Sequence, residues 1–170
     1  MKKIASSFIA VALLLTTAQG AIAAETTNPY GASTVDPAGL SEVIFTVSKG
    51  EKKVEFSMVR LLKMKSRTIS IYEPFLKKRQ SFTVIPMKNF FVMVGISGND
   101  KVETKALNDY IYANSAAKFI GANAYIAIKR GGAPISYDQG GPIRIVFADN
   151  SKWAKELDAW NWSLASISVK

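Results

Sequence analysis

The sequence predicts a single α+β domain, a mixed β-sheet interleaved with short helices. Three observations predict it. Apolar residues alternate along several stretches, as in Val43, Phe45, Val47 and again in Ile143, Ile145, Phe147, which is the pattern of strands with one buried face. Between these stretches lie segments with helical spacing or capping residues. Gly and Pro fall at the junctions, and no repeat, linker or second unit interrupts the order. Strands interleaved with short helices give the α+β class.

Taken in order, "EVIFTVSKG" reads as a strand stopped by Gly50. "VEFSMVRLLKM" sets Phe56, Val59 and Leu62 at helical spacing and predicts a short helix. "RTISIYEPF" is a strand ended by Pro74. "FTVIPMKNFFVMVGI" is a short apolar stretch and then a helix, with Pro86 at its first turn and Gly95 at its close. "KVETKALNDYIYA" reads as one strand with Val102, Thr104 and Ala106 on one face, and Asn114 can cap a short helix, "SAAKFIG". "AYIAIKR" is a strand turned by Gly131 and Gly132. "PIRIVFA" is the next, with Arg144 on the face opposite Ile143 and Ile145. "SKWAKELDAW" predicts a short helix and "SLASISV" the last strand.

The first residues read as a secretory leader over 1–23: basic "MKK", apolar "IASSFIAVALLL", and a small-residue ending at Ala21-Ile22-Ala23. The apolar stretch is shorter than the roughly 20 residues a membrane span requires. Residues 24–41 are polar, with Pro29, Gly31, Pro37 and Gly39, and read as an irregular arm; residues 42–170 form the domain. Export places the protein in the periplasm. The chain has no cysteine and no histidine. It therefore has no disulfide, no histidine base and no Ser-His-Asp triad, and it lacks the usual zinc ligands. After the leader, 20 Lys and Arg stand against 13 Asp and Glu, net +7, scattered apart from "KGEKK" and "KKR". No basic helix or nucleic-acid motif is present, so no nucleic-acid partner is expected. A solvated basic surface or attraction to an anionic ligand, membrane or acidic partner accounts for the charge.

The last thirty-odd residues hold all three tryptophans. Trp160, Trp162 and Leu164 share one phase of an extended chain, whereas Ile167 and Val169 hold the other. A regular strand cannot bury both sets, so either a bulge intervenes or the tryptophans precede the strand. They are core, or they offer a flat surface to a planar ligand. Asn108, Asp109 and Tyr110 make a turn, or converge on a ligand rich in N–H and C=O groups. Asp138, Gln139 and Gly140 lead a tight Gly-Gly-Pro turn that can approach a ligand closely. Arg144 snorkels to solvent, or donates its planar fork to a ligand.

In that order, "ALNDY", "YIAIKRGGAPI", "DQGGPIRIVF" and "WNWSLASISV" resemble the molybdopterin-binding domain of the sulfite oxidase superfamily. The resemblance spans residues 42–169 and is carried mainly from Ala106 onward. It is closest to the small stand-alone periplasmic branch that includes pterin-responsive PruR-like proteins. It implies a sulfite oxidase molybdopterin-domain-like fold. The superfamily's enzymes hold molybdenum through a cysteine, and the corresponding stretch here, around Thr68 to Tyr72, reads "TISIY". A soft thiolate is the ligand such a centre needs. The expectation is a non-metallated pterin as ligand in place of the molybdenum cofactor. The resemblance also implies a partner, the periplasmic domain of a membrane-bound diguanylate cyclase or phosphodiesterase.

A pterin needs a stacking surface, for which Tyr72, Tyr110, Trp160 and Trp162 are candidates. Its 2-amino and N3 hydrogens need an acceptor: Glu73, Asp109 or Asp138. Its 4-oxo group needs a donor: Asn108, Arg144 or a backbone N–H near Gly140. Gln139 stands beside them, and no catalytic or metal-ligating residue is expected. Three functions from different classes follow: a signalling protein without catalysis, a molybdopterin-dependent oxidoreductase lacking the cysteine ligand, and an exported structural module that kept only the fold.

Overall fold

The computed structural model describes residues 39–170. The expected leader and nearly all of the expected arm lie outside the described residues. Among the described residues nine strands form two sheets. The first has the order β2-β1-β9-β5-β6, from β1 (Val43–Lys49), β2 (Lys52–Ser57), β5 (Lys101–Ala106), β6 (Ile111–Ser115) and β9 (Leu164–Val169). It is mixed, because β1 and β9 run parallel while the other pairs are antiparallel. The second, of order β3-β4-β7-β8, is antiparallel throughout and comprises β3 (Arg67–Glu73), β4 (Lys78–Pro86), β7 (Ala124–Arg130) and β8 (Arg144–Phe147). The short helices are α1 (Met58–Leu62), α2 (Met87–Val94) and α3 (Ala116–Gly121). The α+β class and the mixed sheet hold, with the strands shared between two sheets.

Four local expectations are corrected. The stretch from Val54 is strand as far as Ser57, and only then helix, capped by the Ser57 hydroxyl. Gly50, at φ 57°, closes a tight turn that pairs Phe56 with Phe45 across β1 and β2, so cross-strand pairing overrides the helical spacing. Residues 101–113 are two strands, because Asp109 adopts φ 65° and turns the chain at Leu107–Tyr110. Ser115 caps α3, because Asn114 directs its side-chain oxygen to the Ser115 N–H. "SKWAKELDAW" forms turns and a 3-10 turn at Leu157–Ala159.

Helix α2 joins the sheets. It packs on β4 and β7, while its Phe90 meets Phe45 and Phe56 of the first sheet, with ring centroids 5.3–5.6 Å apart. Asn161 makes a second join. Its carbonyl accepts the Ile145 N–H of β8, and its side-chain amide donates to the carbonyl and hydroxyl of Thr104 in β5. The hairpin end of β1 is tied down by Lys49, whose ammonium donates to the Gly95 carbonyl and to Asp100. That bond, with the Ser97 N–H, holds the Asp100 carboxyl below its usual pKa.

The phase conflict in the tail resolves in both ways at once. The tryptophans precede β9, and Ser163, at φ 47°, breaks the alternation before the strand begins. A bulge follows: Lys105 pairs with Ser166 and Ala106 with Leu164, which leaves Ala165 as the extra residue. Leu164 and Ile167 are therefore both buried despite their odd spacing.

Candidate ligand-binding site

The second sheet curls until its two edge strands lie a side-chain length apart. Glu73 ends β3 on one edge and Arg144 opens β8 on the other, and Nη2 of Arg144 donates to Oε1 of Glu73 at 2.8 Å. Both side chains are wholly buried. Arg144 Nη1 donates to the Gln139 carbonyl at 3.3 Å. The guanidinium carbon stands 3.9 Å from the centre of the Trp162 ring and 5.8 Å from that of Phe82. Glu73 also accepts the Leu76 N–H, which fixes the turn after β3. Inside the fold the pair is a charge-neutral unit, compensated by hydrogen bonds and by an aromatic face. Arg144 does not snorkel, and its fork is directed to protein groups.

The Gly-Gly-Pro turn covers this cluster. A Cβ on Gly140 would lie 2.7 Å from the Trp162 ring, so the missing side chain is what lets the turn pack on the indole. Phe75 stands edge-on to both tryptophans, with centroids 5.1 Å from Trp162 and 6.3 Å from Trp160. Trp160 donates its ring N–H to the Trp153 carbonyl and packs against Phe147. Trp160 is 3% exposed and Trp162 8%, so the indoles are largely core, and Trp162 keeps the larger sliver at the surface.

The structure thus brings together Glu73, Gln139, Gly140, Arg144 and Trp162, with Trp160 beside them through Phe75. Asp138 sits half-buried at the rim, in the 3-10 turn Tyr137–Gln139. Asn108, Asp109 and Tyr110 form the exposed β5–β6 turn. There Asn108 accepts the Tyr110 N–H, and Asp109 pairs with Lys105, a hydrogen bond that raises the lysine's pKa. This turn touches the tail: Leu107 donates to the Ser163 carbonyl, and the Tyr110 hydroxyl to that of Asp158. Tyr72 is not in the cluster. Strand alternation sends it to the outer face of β3, opposite Glu73. A cavity of about 480 Å³ lies elsewhere, between Val47, Lys49, Lys52, Val54 and Val94, and none of the sequence-predicted residues lines it. Sequence reasoning missed Phe75, which spans the two indoles, and Asn161. The polar residue inside "WNW" was the available signal for the second.

No protein-family model matches the chain, and no curated protein matches it in sequence. Among solved structures the chain is similar to the sulfane dehydrogenase SoxCD from Paracoccus pantotrophus, with a TM-score of 0.55 and 12% identity. The similarity covers 74% of this chain and 37% of that one, so the chain spans well under half of that chain's length. The fold is α+β and sulfite oxidase-like, as the sequence resemblance implied. A molybdenum centre held by a cysteine, the one that the sequence resemblance implies, does not fit the donor set here. The chain has no thiolate, and the stretch that the sequence resemblance sets against that cysteine, Thr68 to Tyr72 in β3, turns Thr68, Ser70 and Tyr72 outward and Ile71 inward. Among the described residues no three His, Cys, Asp or Glu side chains gather into a metal-binding group.

Proposed function

We propose that the protein is an exported pterin-binding signalling module without catalysis of its own. Its loaded form acts in the periplasm on the outer domain of a membrane-bound diguanylate cyclase or phosphodiesterase. The observation that carries the reading is a sulfite oxidase-like fold in a chain with no cysteine: the scaffold remains while the metal-holding ligand is gone. A flat, guanine-like ligand enters at the rim made by Asp138, Gln139 and Gly140. It moves the Gly-Gly-Pro turn aside and meets Trp162, with the Arg144 fork behind. Asp138 accepts from the ring's amino edge, and Arg144 or a backbone N–H answers its oxo group. The site is apolar with a few placed polar groups, as small-molecule sites are. The test is metal analysis of protein purified from the periplasm, together with calorimetric titration by neopterin. No stoichiometric molybdenum and saturable pterin binding are expected. One molybdenum atom per chain would return the oxidoreductase reading, and neither metal nor pterin would leave a structural module.

The two tail tryptophans separate in the same assay. Stacking of a flat base on an aromatic ring is worth about 1–3 kcal/mol, or roughly tenfold in affinity for each 1.4 kcal/mol. Trp162→Leu is expected to weaken neopterin binding by roughly tenfold or more. Trp160→Leu, which removes a ring held between Phe147 and Phe75, should lower the melting temperature and leave Kd unchanged. Unchanged affinity in the Trp162 variant would make both rings core alone.

A further inference from the structure

The strands that end the two sheets differ in how their free edges are closed. A strand edge offers unpaired N–H and C=O groups to any extended chain, and proteins close it with charge, proline, bulges or a covering segment. β2 carries Lys52, Lys53 and Glu55, and Arg60 donates to the Glu55 carbonyl. β3 begins at Arg67, and Asp149 accepts its Tyr72 N–H. The tail covers β8, where the Asn161 carbonyl accepts the Ile145 N–H. β6, at the end of the first sheet, has none of these among the described residues. It carries no charge and no proline, and its register with β5 is unbroken from Ser115 opposite Lys101 to Ile111 opposite Lys105. Ile111 is 48% exposed, and Ala113 is exposed as well. From Tyr110 to Ala117 the sequence holds no charged residue.

The ladder fixes which groups face outward. The Ala106 N–H donates to the Tyr110 carbonyl, so Tyr112 and Asn114, in the same phase as Tyr110, direct their backbone groups to β5. Alternation turns those of Ile111, Ala113 and Ser115 away from it. The Asn114 side-chain oxygen already accepts the Ser115 N–H. Ile111 and Ala113 are left with both backbone groups open to another strand. We infer that β6 pairs antiparallel with β6 of a second copy of this chain, about a two-fold axis at Tyr112. That register sets Ile111 against Ala113 of the second copy, and Ala113 against its Ile111. Both are hydrogen-bonded pairs, each exchanging two N–H···O bonds, so every open group is used. A register centred on Ala113 would call on Ser115, whose N–H is taken. The edge is thus its own complement, which is what a two-fold contact demands. Charge points to the same occupant. In a chain with 22 Lys and Arg against 13 Asp and Glu, two copies repel over most of their surface, and an uncharged edge is where they can meet. On the outer face β5 sets Lys105 behind Ile111 and Glu103 behind Ala113. A row across the joint therefore runs Lys105, Ile111, then Ala113 and Glu103 of the second copy, with opposite charges at its ends. The contact is short, so the dimer is a weak one. None of this rests on the pterin-binding reading.

The experiment is sedimentation velocity of the purified protein, without pterin, over micromolar to millimolar concentrations. A monomer–dimer equilibrium is expected. Ala113→Pro removes an N–H that β5 does not use, and Ile111→Lys puts a like charge on both sides of the joint. Each should weaken the dimer by about tenfold or more, with a melting curve close to that of the wild type. The chain has no cysteine, so introduced ones report the register. Residues of a hydrogen-bonded pair stand about 5.5 Å apart at Cα, within reach of a disulfide. Ile111→Cys and Ala113→Cys proteins, mixed under oxidised glutathione, should link one to the other, and each alone should link to itself far less. Three outcomes overturn the proposal: a monomer at every concentration, a dimer that Ile111→Lys leaves unchanged, or self-linked dimers in the same yield as mixed ones. If Ala113→Pro fails to fold, the lysine variant and the cysteine pair decide.

Discussion

Replacing Arg144 by alanine is expected to destabilise the domain by about 3–5 kcal/mol, the usual cost of removing one partner from a buried ion pair. The reason lies in what remains. Glu73 would stay wholly buried, with one oxygen still accepting the Leu76 N–H and the other facing the vacated space. The Gln139 carbonyl and the Trp162 ring lose their cation as well. Domains of this kind have about 5–15 kcal/mol of stability in total, so the loss is a large share of it. For a domain of this size it corresponds to a fall in melting temperature of roughly 10–20 °C. Thermal denaturation followed by circular dichroism measures it.

The double variant Glu73→Gln, Arg144→Met separates the charge from the packing. Exchanging a buried pair for uncharged groups of similar volume is often close to neutral. Most of the lost stability should therefore return, while a pterin that relies on the Arg144 fork should bind more weakly. If the single variant melts within about 3 °C of the wild type, the pair does not hold the edges of the curled sheet together, and the site described above loses its frame.

Much of the fold could be read from local chemistry. Alternation found β1, β7 and β8, and Gly131 and Gly132 marked their turn, where both adopt positive φ. The tail's phase conflict pointed to a bulge or an early end to the tryptophans' segment, and both are there. Misreadings arose where a distant partner decides a local choice. Phe56 has helical spacing but pairs across the sheet with Phe45. Asn114 and Ser115 are both good caps, and the Asn114 oxygen accepts the Ser115 N–H while the Ser115 hydroxyl accepts the Lys118 N–H of the helix. The site was half legible for the same reason. Asp138, Gln139, Gly140 and Arg144 are close in sequence and stand out by type. The pairing of Arg144 with Glu73, 71 residues away, follows from the curl of the sheet, which no local pattern encodes. Nor does residue type tell Tyr72 from Glu73. Strand parity alone sends one to solvent and the other to the core.

Gly141→Ala is expected to be more damaging than any other glycine substitution in the domain. A Cβ there would lie 1.8 Å from the Ile135 carbonyl oxygen and 2.5 Å from its carbon. Those are backbone atoms, and they cannot rotate away as a side chain could. The Gly141 N–H also donates to the Ser136 carbonyl at 2.8 Å, so Gly141 cannot shift away from Ile135 within the turn without breaking the bond that closes it. Overpacking a tight site costs typically 1–3 kcal/mol and occasionally more; here the clash is with main chain, and about 3 kcal/mol or more is expected. Gly131→Ala is the comparison. It has nothing within 4 Å of its Cβ position but a φ of 58°, so its cost should be the conformational one alone, about 1–2 kcal/mol. The two differ in consequence as well as in size. Gly141 holds the turn that carries Asp138 and Gln139 over Trp162, so its variant should lose neopterin binding even at temperatures where the rest of the domain is folded. The Gly131 variant should bind as the wild type does. Equal melting temperatures for the two variants would show that the turn adapts to a side chain at Gly141, and that its close packing over the tryptophan is not what shapes the site.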